Sequence, residues 1–314
     1  MSKHWTLESI PPQTGRRVMV TGANSGIGYH TAAILAHRGA EVVLACRNEQ
    51  RGADALARLQ RDAPNAKVHL EYLDLASLAS VRAFANRQHA LGLPVDILIN
   101  NAGVMAPPRR FETHDGFELQ FGINVLGHFA LTALLLPALE MAANSSSERP
   151  RVVTIASIAH KTGQLDFADL QSTHRYRPMD AYRQSKLADL MFAFELDRRL
   201  RARQSRVMSV AAHPGVANTN LFRDDRSSVG RAARAALGTI IGALFNSDLI
   251  GAFPTLYAAT APEVVGGGYY GPLGLLEARG KRVGPAKVAP QAQSKTDSKR
   301  LWQACETLTG TPFW

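Results

Sequence analysis

The stretch that decides the fold is Thr21-Gly22-Ala23-Asn24-Ser25-Gly26-Ile27-Gly28, between an apolar run at residues 17–21 and a helical pattern at residues 29–38. Its three glycines allow a tight turn, a close approach of main-chain amides to a pyrophosphate, and close packing of the helix on the strand. The helix N-terminus adds a partial positive charge that favours an anion. A glycine-rich turn alone is a weak signal, but the strand-turn-helix setting predicts a dinucleotide-binding turn.

Apolar runs of strand length recur along the chain. They lie at residues 17–21, 41–45, 68–73, 95–100, 152–156, 207–212 and 268–270. Helix-length patterns separate most of them, and this alternation predicts a parallel sheet with helices on both faces. We therefore expect an α/β Rossmann fold, with a doubly wound parallel sheet of about seven strands in a single domain.

The length of 314 residues suits one large domain with appendages. We assign residues 1–290 to the dinucleotide-binding and catalytic domain. Residues 221–254 break the strand-helix rhythm and predict a substrate lid. Residues 291–314 form a C-terminal extension, whose aromatic side chains would cap the pocket or a neighbouring subunit, unless its first part is disordered.

The second predicted strand is followed by Arg47-Asn48, where an NAD-binding protein usually places an acidic residue on the ribose hydroxyls. A guanidinium at this position can bind the 2′-phosphate of NADP with two hydrogen bonds. The alternative is an ordinary exposed arginine at a strand end. We expect NADP(H) to be preferred over NAD(H).

Tyr182 and Lys186 lie four residues apart in a helical pattern at residues 181–200, so their side chains share one face. An ammonium group beside a tyrosine hydroxyl stabilises the phenolate. The pair alone is frequent by chance and would then belong to a surface helix. The pattern predicts one buried stripe on this helix, with Arg198 and Arg199 facing water.

Several further motifs occur in the order typical of one family. They are Asp74, Asn100-Asn101-Ala102-Gly103, Asn124, Ser157, Tyr182-x-x-x-Lys186 and His213-Pro214-Gly215. With the glycine-rich turn they span residues 21–219, and the chain resembles the short-chain dehydrogenase/reductase family. The runs Tyr182-Arg183-Gln184-Ser185-Lys186-Leu187-Ala188 and Asn124-Val125-Leu126-Gly127-His128-Phe129 resemble its retinol dehydrogenase and protochlorophyllide reductase branch.

The resemblance implies hydride transfer between a nicotinamide cofactor and a carbonyl or alcohol carbon. It implies that Tyr182 is the proton donor or acceptor and that Lys186 stabilises its phenolate. Ser157 would donate a hydrogen bond to the substrate oxygen. Asn124 would hold a water molecule that links Lys186 to solvent. His213 is a candidate for an additional base, but the resemblance implies a structural role for it.

The resemblance also implies a cofactor site that extends beyond the glycine-rich turn. Its further residues are Asp74 and Leu75 at the adenine ring, Asn101, Ala102 and Gly103 at the adenine ribose, and Pro214, Gly215, Val216 and Thr219 at the nicotinamide. Some NADP-binding relatives have a second basic residue before the middle glycine, where this chain has Ser25. Arg47 must therefore supply most of the preference for NADP.

The substrate pocket is expected to form from residues 105–110, the loop after Ser157, and the lid. The apolar side chains of the lid include Phe222, Leu237, Ile240, Ile241, Leu244 and Phe245. An apolar lid predicts a hydrophobic or aromatic ketone or aldehyde and its alcohol as substrates, unless these residues complete the core or a subunit contact. Dependence on NADPH would favour reduction.

The composition gives 36 Lys and Arg against 26 Asp and Glu, a formal charge of +10. This charge is compatible with nucleic acid, an anionic membrane or a phosphate-rich cofactor. No nucleic-acid-binding motif accompanies it, and the densest basic run, at residues 198–206, suits a helix C-terminus. We expect no nucleic-acid partner. Cys46 and Cys305 form no CxxC pair, so neither a disulfide framework nor a metal site is predicted.

The first 14 residues are polar and predict no signal peptide. The longest apolar stretch, near residues 235–245, is shorter than the roughly 20 residues needed to cross a bilayer. We therefore expect a cytoplasmic protein without a transmembrane segment. The resemblance implies a homodimer or homotetramer formed partly by the helix that bears Tyr182.

The alternative to an enzyme is a catalytically silent NADP(H)-binding regulator or scaffold, which would keep the fold without the chemistry. Such proteins usually lose the tyrosine or the lysine. This chain has Ser157, Tyr182, Lys186 and Asn124, which together favour an oxidoreductase.

Overall fold

The computed structural model describes residues 5–216 and 246–314. Within these ranges, the strands are β1 (Arg17–Thr21), β2 (Glu41–Cys46), β3 (Val68–Tyr72), β4 (Ile97–Asn100), β5 (Arg151–Ile155), β6 (Met208–Ala212), β7 (Tyr269–Pro272) and β8 (Val283–Pro285). The helices are α1 (Gly26–His37), α2 (Glu49–Asp62), α3 (Leu78–Ala90), α4 (His128–Ser145), α5 (Pro178–Ala202), α6 (Asp248–Gly251), α7 (Phe253–Thr260) and α8 (Lys295–Thr309).

Two short turns matter for the site. A π-helical turn (Phe121–Gly127) leads into α4, and a 3-10 turn (Ile158–Thr162) follows β5. Several helices begin at polar caps that satisfy a free amide: Asn48 Oδ1 accepts from Arg51 N at the start of α2, and Ser77 Oγ accepts from Ser80 N at the start of α3.

The eight strands form one sheet in the order β3-β2-β1-β4-β5-β6-β7-β8. The pairs from β3 to β7 are parallel, and β8 pairs antiparallel with β7. The strand order reverses between β1 and β4, which is where open α/β sheets bind ligands at their carboxyl ends. The α/β fold with a doubly wound, mostly parallel sheet is therefore confirmed.

The eighth strand is the difference from the expected sheet of about seven strands. It comprises only residues 283–285 and lies in a stretch rich in Gly and Pro. Three residues are too few to show an alternating apolar pattern, and their place in the sheet depends on pairing with β7.

Helices cover both faces of the sheet. One apolar core lies between the sheet and helices α3, α4, α5 and α8, and a second lies beneath α1, α2 and α7. The helix that bears Tyr182 is buried around more of its circumference than the single buried stripe that the sequence predicts. Every residue from 181 to 200 is buried or half-buried, because α5 contacts the sheet, the π-helical and 3-10 turns, and α8.

Residues 291–314 join the first of these cores. Ser294 caps α8, and the Trp302 ring contacts the Phe129 ring of α4 and the Phe192 ring of α5, with centroids 5.1 Å and 5.9 Å away. The Phe313 ring lies 4.5 Å from that of Trp302. The C-terminal extension therefore packs on α4 and α5 and is part of the folded domain.

The continuous helical stretch Phe121–Ser145 corrects the expectation that the longest apolar stretch lies near residues 235–245. It has 25 residues and a mean hydropathy of 1.7, which is long and apolar enough to cross a membrane by length and composition. Its apolar window is 89% buried inside the domain. A helix that is apolar all round is also what a fully covered core helix requires.

Candidate active site

The glycine-rich turn connects β1 to α1 at the carboxyl edge of the sheet. Gly22 and Gly26 have φ values of +66° and +58°, which favour glycine. A Cβ atom at Gly28 would lie 2.5 Å from Asn101 Nδ2 and 2.6 Å from Gly22 O. Because these atoms leave no space for a side chain, α1 packs close to the turn, as a dinucleotide pyrophosphate site requires.

Thr21 connects this turn to the loop after β4. Its hydroxyl oxygen accepts hydrogen bonds from Asn101 N and Ala102 N, both at 2.9 Å, and its carbonyl oxygen accepts one from Asn101 Nδ2 at 2.7 Å. These bonds fix the predicted loop Asn101-Ala102-Gly103 against the start of the glycine-rich turn.

His128 is a partner of Thr21 that the sequence analysis did not assign. Its Nδ1 lies 2.9 Å from the carbonyl oxygen of Asn124, so Nδ1 carries the proton and Nε2 accepts from the Thr21 hydroxyl, also at 2.9 Å. Burial lowers the pKa of His128 to about 4, which keeps the ring neutral. The neutral ring therefore connects the π-helical turn to the cofactor-binding turn.

The adenosine end of the site carries positive charge. Arg47 and Asn48 line the cavity there, as predicted, and Arg51 in the first turn of α2 lines it as well. Arg51 was not predicted, and it places a second guanidinium at this end of the cavity, whereas some NADP-binding relatives have their second basic residue before the middle glycine, where this chain has Ser25. Asp74 is the one acidic residue among the described residues that line this cavity.

Tyr182 and Lys186 lie on the face of α5 that meets the sheet. Lys186 is buried and its ammonium donates to the Ile155 carbonyl oxygen at 2.9 Å and to Asp189 Oδ2 at 2.8 Å. Burial opposes the charge on Lys186, but the Asp189 carboxylate and Tyr182 together raise its pKa above the usual value. The lysine therefore stays protonated, and these two bonds use two of its three hydrogens.

Asp189 is the second buried charge at this position. Asp189 is 2% exposed. Desolvation raises the pKa of its carboxyl group to about 6, although the nearby Lys186 ammonium acts to lower that pKa. Near neutral pH, Lys186 and Asp189 therefore form an ion pair. In mild acid the Asp189 carboxylate becomes protonated and loses its negative charge. Asp189 was not among the residues that the sequence predicted.

Ser157 follows β5 and precedes the 3-10 turn. Its Oγ accepts a hydrogen bond from Ala159 N at 3.1 Å, which fixes the side chain through an oxygen lone pair. This bond does not use the hydroxyl hydrogen of Ser157, which can rotate to donate a hydrogen bond to an acceptor in the cavity. Ser157 lines the same cavity as Tyr182 and Lys186.

Asn124 lies in the π-helical turn and is 0% exposed. Its Oδ1 accepts from Val104 N at 2.9 Å, and its Nδ2 donates to Val104 O at 3.1 Å and to Ser185 Oγ at 2.9 Å. A Cβ atom at Gly103 would lie 3.2 Å from Asn124 Oδ1 and 3.8 Å from Lys186 Nζ. The side chain is thus close to Lys186 but behind the cavity wall, and its role in a water relay stays a prediction.

One cavity of about 1040 Å³ brings most of the predicted residues together. Those that line it are Gly22, Asn24, Ser25, Gly26, Ile27, Gly28, Arg47, Asn48, Asp74, Leu75, Asn101, Ala102, Gly103, Ser157, Tyr182, Lys186, Pro214, Gly215 and Val216. Thr219 lies outside the described residues. The arrangement extends from the basic adenosine end to Tyr182, which is the shape and charge distribution that a dinucleotide fits.

The cavity includes one residue of the expected substrate wall at residues 105–110. Met105 lines the cavity, but residues 106–110 do not. Tyr176 donates its hydroxyl hydrogen to Pro107 O at 3.1 Å, and Arg110 Nε donates to Gln171 O at 2.9 Å, so this segment is held against residues 171–176. Ile158 and Ala159, in the loop after Ser157 that was predicted to form the pocket, line the cavity too, and the apolar wall residues that were not predicted are Val104, Ile123 and Met179.

The predicted lid is described only from residue 246 onward. Its apolar side chains at residues 222–245 lie outside the described residues. Within residues 246–254, Asn246 Nδ2 donates to Pro214 O at 3.1 Å, which attaches the start of this segment to the nicotinamide end.

His213 is an unsuitable base. It is 0% exposed, burial lowers its pKa to about 3, and its Nδ1 accepts from Gly215 N at 3.2 Å. Its ring supports the turn at Gly215, as the resemblance implies.

A family model described as short chain dehydrogenase matches residues 16–230. This chain belongs to the short-chain dehydrogenase family. This short-chain dehydrogenase is 45% identical to polyprenol dehydrogenase of Mus musculus over 303 residues, 96% of this chain and 86% of the relative. It is 42% identical to retinol dehydrogenase 13 of Homo sapiens over 299 residues, 94% of this chain and 85% of the relative.

A solved structure has the same fold. The crystal structure of an uncharacterized protein from Mycobacterium paratuberculosis is 39% identical, with a TM-score of 0.79 over 99% of this chain and 100% of the other. The short-chain dehydrogenase described here is therefore an oxidoreductase of the retinol dehydrogenase-like branch, acting between CH–OH and C=O groups with a nicotinamide cofactor.

Proposed function

We propose that this short-chain dehydrogenase interconverts a lipophilic alcohol and its aldehyde or ketone with NADP(H), using Tyr182 as the general acid or base. One observation carries the proposal: Ser157, Tyr182 and Lys186 line the same cavity as the glycine-rich turn. A substrate oxygen near Ser157 and Tyr182 would therefore lie beside the nicotinamide end of the dinucleotide site.

In reduction, the Tyr182 hydroxyl donates its proton to the carbonyl oxygen, while the Ser157 hydroxyl donates a hydrogen bond to the same oxygen. The Lys186 ammonium stabilises the phenolate that remains. In oxidation, the phenolate accepts the proton of the alcohol. When bound, the cofactor supplies or accepts the hydride.

The preference for NADP(H) is supported by Arg47 and Arg51, which both line the adenosine end. Two guanidinium groups attract a phosphate, and the two residues directly after β2 are Arg47 and Asn48 rather than an acidic residue that would hold ribose hydroxyls. Gly22 and Gly28 let the turn pack closely against Ala102 and Asn101, which a pyrophosphate-binding turn requires.

The lipophilic substrate is supported by the apolar side chains beside Ser157 and Tyr182. Val104, Met105, Ile123, Ile158 and Met179 line the same cavity as these two residues. By their names, the relatives polyprenol dehydrogenase and retinol dehydrogenase 13 act on polyprenol and on retinol. An apolar wall stabilises such a chain by removing it from water.

The test is turnover of purified protein, followed at 340 nm, with NADPH or NADH and two matched sets of carbonyl compounds, short polar ones and long apolar ones. We expect a higher kcat/KM with NADPH and with the apolar set. A preference for the polar set would contradict the substrate assignment. Tight binding of NADPH without turnover on any compound would instead favour a regulator or scaffold.

A further inference from the structure

The loop at residues 273–282 connects β7 to β8, and we refer to it as the hairpin tip. Because β7 is parallel to its neighbour β6, its carboxyl end points to the edge of the sheet that carries the cofactor and substrate site. The hairpin tip therefore projects from the same edge as the cavity.

The hairpin tip exposes an unusual amount of apolar surface. Leu275 and Leu276 are each 82% exposed, and Leu273 is 47% exposed. Leu276 also has φ of +53°, a conformation that a leucine rarely adopts. Both the exposed apolar area and the backbone conformation cost free energy in water, and such a cost is usually retained where it serves binding.

The hairpin tip is fastened to the walls of the site. Glu277 accepts from Lys161 Nζ at 2.6 Å and from Lys287 N at 2.8 Å, and it is 9% exposed. The carbonyl oxygen of Ala278 accepts from Val216 N at 2.7 Å, and Val216 lines the cavity. Leu275 and Leu276 are thus exposed on a loop whose next two residues, Glu277 and Ala278, are held by hydrogen bonds.

The exposed charges of the hairpin tip are all positive. Arg279, Lys281 and Arg282 are exposed, whereas Glu277, the one acidic residue of the segment, is buried beside Lys161. Exposed leucines flanked by exposed cations match a membrane interface, where apolar side chains enter the acyl region and cations meet anionic headgroups.

We propose that the hairpin tip docks this enzyme on anionic lipid bilayers, with Leu275 and Leu276 inserted and Lys281 and Arg282 at the headgroups. The partner is the bilayer surface, and the benefit rests on the proposed function, because a lipophilic substrate is concentrated in the bilayer. Docking at this edge brings the mouth of the cavity to the phase that holds the substrate.

The primary test is co-sedimentation of the full chain with vesicles of phosphatidylcholine alone and of phosphatidylcholine with 30% phosphatidylserine. The wild type is expected to bind the anionic vesicles, more weakly as salt increases. The double variant Leu275→Ser/Leu276→Ser is expected to lower the partition coefficient by at least about tenfold. The variant Lys281→Gln/Arg282→Gln is expected to weaken binding only to the anionic vesicles.

The matched control is Leu91→Ser/Leu93→Ser. These leucines are 53% and 41% exposed, and they lie between α3 and β4, at the amino edge of the sheet. The control is expected to bind as the wild type does. Circular dichroism and thermal unfolding of each variant would separate lost docking from lost folding.

Turnover with a short water-soluble substrate distinguishes failure of docking from failure of the proposed function. If the wild type and the variants bind vesicles but none of them turns over the substrate, the proposed function is contradicted and the docking proposal stands. Turnover with no vesicle binding by the wild type, or with equal binding by Leu275→Ser/Leu276→Ser, would overturn docking. If Leu275→Ser/Leu276→Ser had an altered KM for the soluble substrate but unchanged vesicle binding, the two leucines would make contacts within the chain. That result would also overturn the docking proposal.

Discussion

The Lys186 ammonium nitrogen lies 2.8 Å from Asp189 Oδ2, and both residues are buried, with exposures of 5% and 2%. The ammonium that must stabilise the Tyr182 phenolate therefore has a carboxylate as its neighbour on the same helix. That carboxylate offsets part of the positive charge that Tyr182 experiences, and it holds the ammonium in place. Asp189 is accordingly a positioning residue for the proposed mechanism.

Replacing Asp189 by Asn is expected to shift the pH dependence of alcohol oxidation. The change removes a negative charge near Lys186 and keeps an oxygen acceptor, so the phenolate becomes easier to form. The pH of half-maximal kcat/KM should fall by about 0.5 to 1 unit. Burial raises the pKa of Asp189 to about 6, so the wild type should show an inflection near pH 6 in its profile of kcat/KM against pH. The variant should lack that inflection.

The control for this change is Asp180→Asn on the same helix. Asp180 is exposed and pairs with Arg183 at 2.8 Å. An exposed pair contributes little, so the control profile should match the wild type. Identical profiles for Asp189→Asn and the wild type would show that the buried carboxylate does not act on the reaction.

Arg47→Asp is expected to reverse the preference for NADPH. An acidic side chain would repel the 2′-phosphate and accept hydrogen bonds from ribose hydroxyls. The ratio of kcat/KM for NADPH to that for NADH should fall by about 100-fold or more. The matched control is Arg61→Asp, an exposed residue near the end of α2 that does not line the cavity. An unchanged ratio in Arg47→Asp would refute the role of this arginine.

His128→Leu is expected to weaken cofactor binding. The change leaves the Thr21 hydroxyl and the Asn124 carbonyl oxygen without this partner in a buried position, at a cost of about 1–3 kcal/mol. Since Thr21 fixes the loop Asn101-Ala102-Gly103, the Kd for the dinucleotide should rise by about tenfold. Fluorescence titration and thermal unfolding would be measured together. Lost stability with unchanged Kd would limit His128 to a role in folding.

Trp302→Ala is expected to destabilise the whole domain. Trp302 is 2% exposed and contacts rings from α4 and α5, so truncation should lower the free energy of unfolding by about 3–5 kcal/mol. Trp314→Ala is the control, because Trp314 is 45% exposed and its loss should cost less than about 1 kcal/mol. Denaturant unfolding measures both. Equal, small effects would mean that the extension is not part of the core.

Local patterns allowed much of the fold to be predicted. Seven of the eight described strands were found to within about two residues, because most of them are buried parallel strands that form continuous apolar runs. The glycine-rich turn was found because its residues are adjacent in sequence. By contrast, β8 is too short to show a period, and α5 was expected to have one buried stripe because the position of α8 cannot be read from residues 181–200.

The predictions for the site succeeded and failed for the same reason. Tyr182, Lys186 and Ser157 share the cavity, as the ordered motifs indicated. His128 and Asp189 were not predicted, because their importance depends on burial and on partners that single residue types do not reveal. For Asp189, the three-residue spacing from Lys186 was an available signal, since such pairs meet on a helix. The position of residues 106–110 depends on hydrogen bonds to residues 171–176, which no local pattern contains.

The central claim is that Tyr182 transfers the proton, and Tyr182→Phe tests it most directly. The change keeps the ring and removes the hydroxyl, so cofactor binding should be retained. The account predicts NADPH-dependent turnover by the wild type on an apolar carbonyl compound and a loss of about 10²-fold or more in kcat for the variant, with Kd for NADPH within about threefold. Turnover by Tyr182→Phe at the wild-type rate would contradict the account.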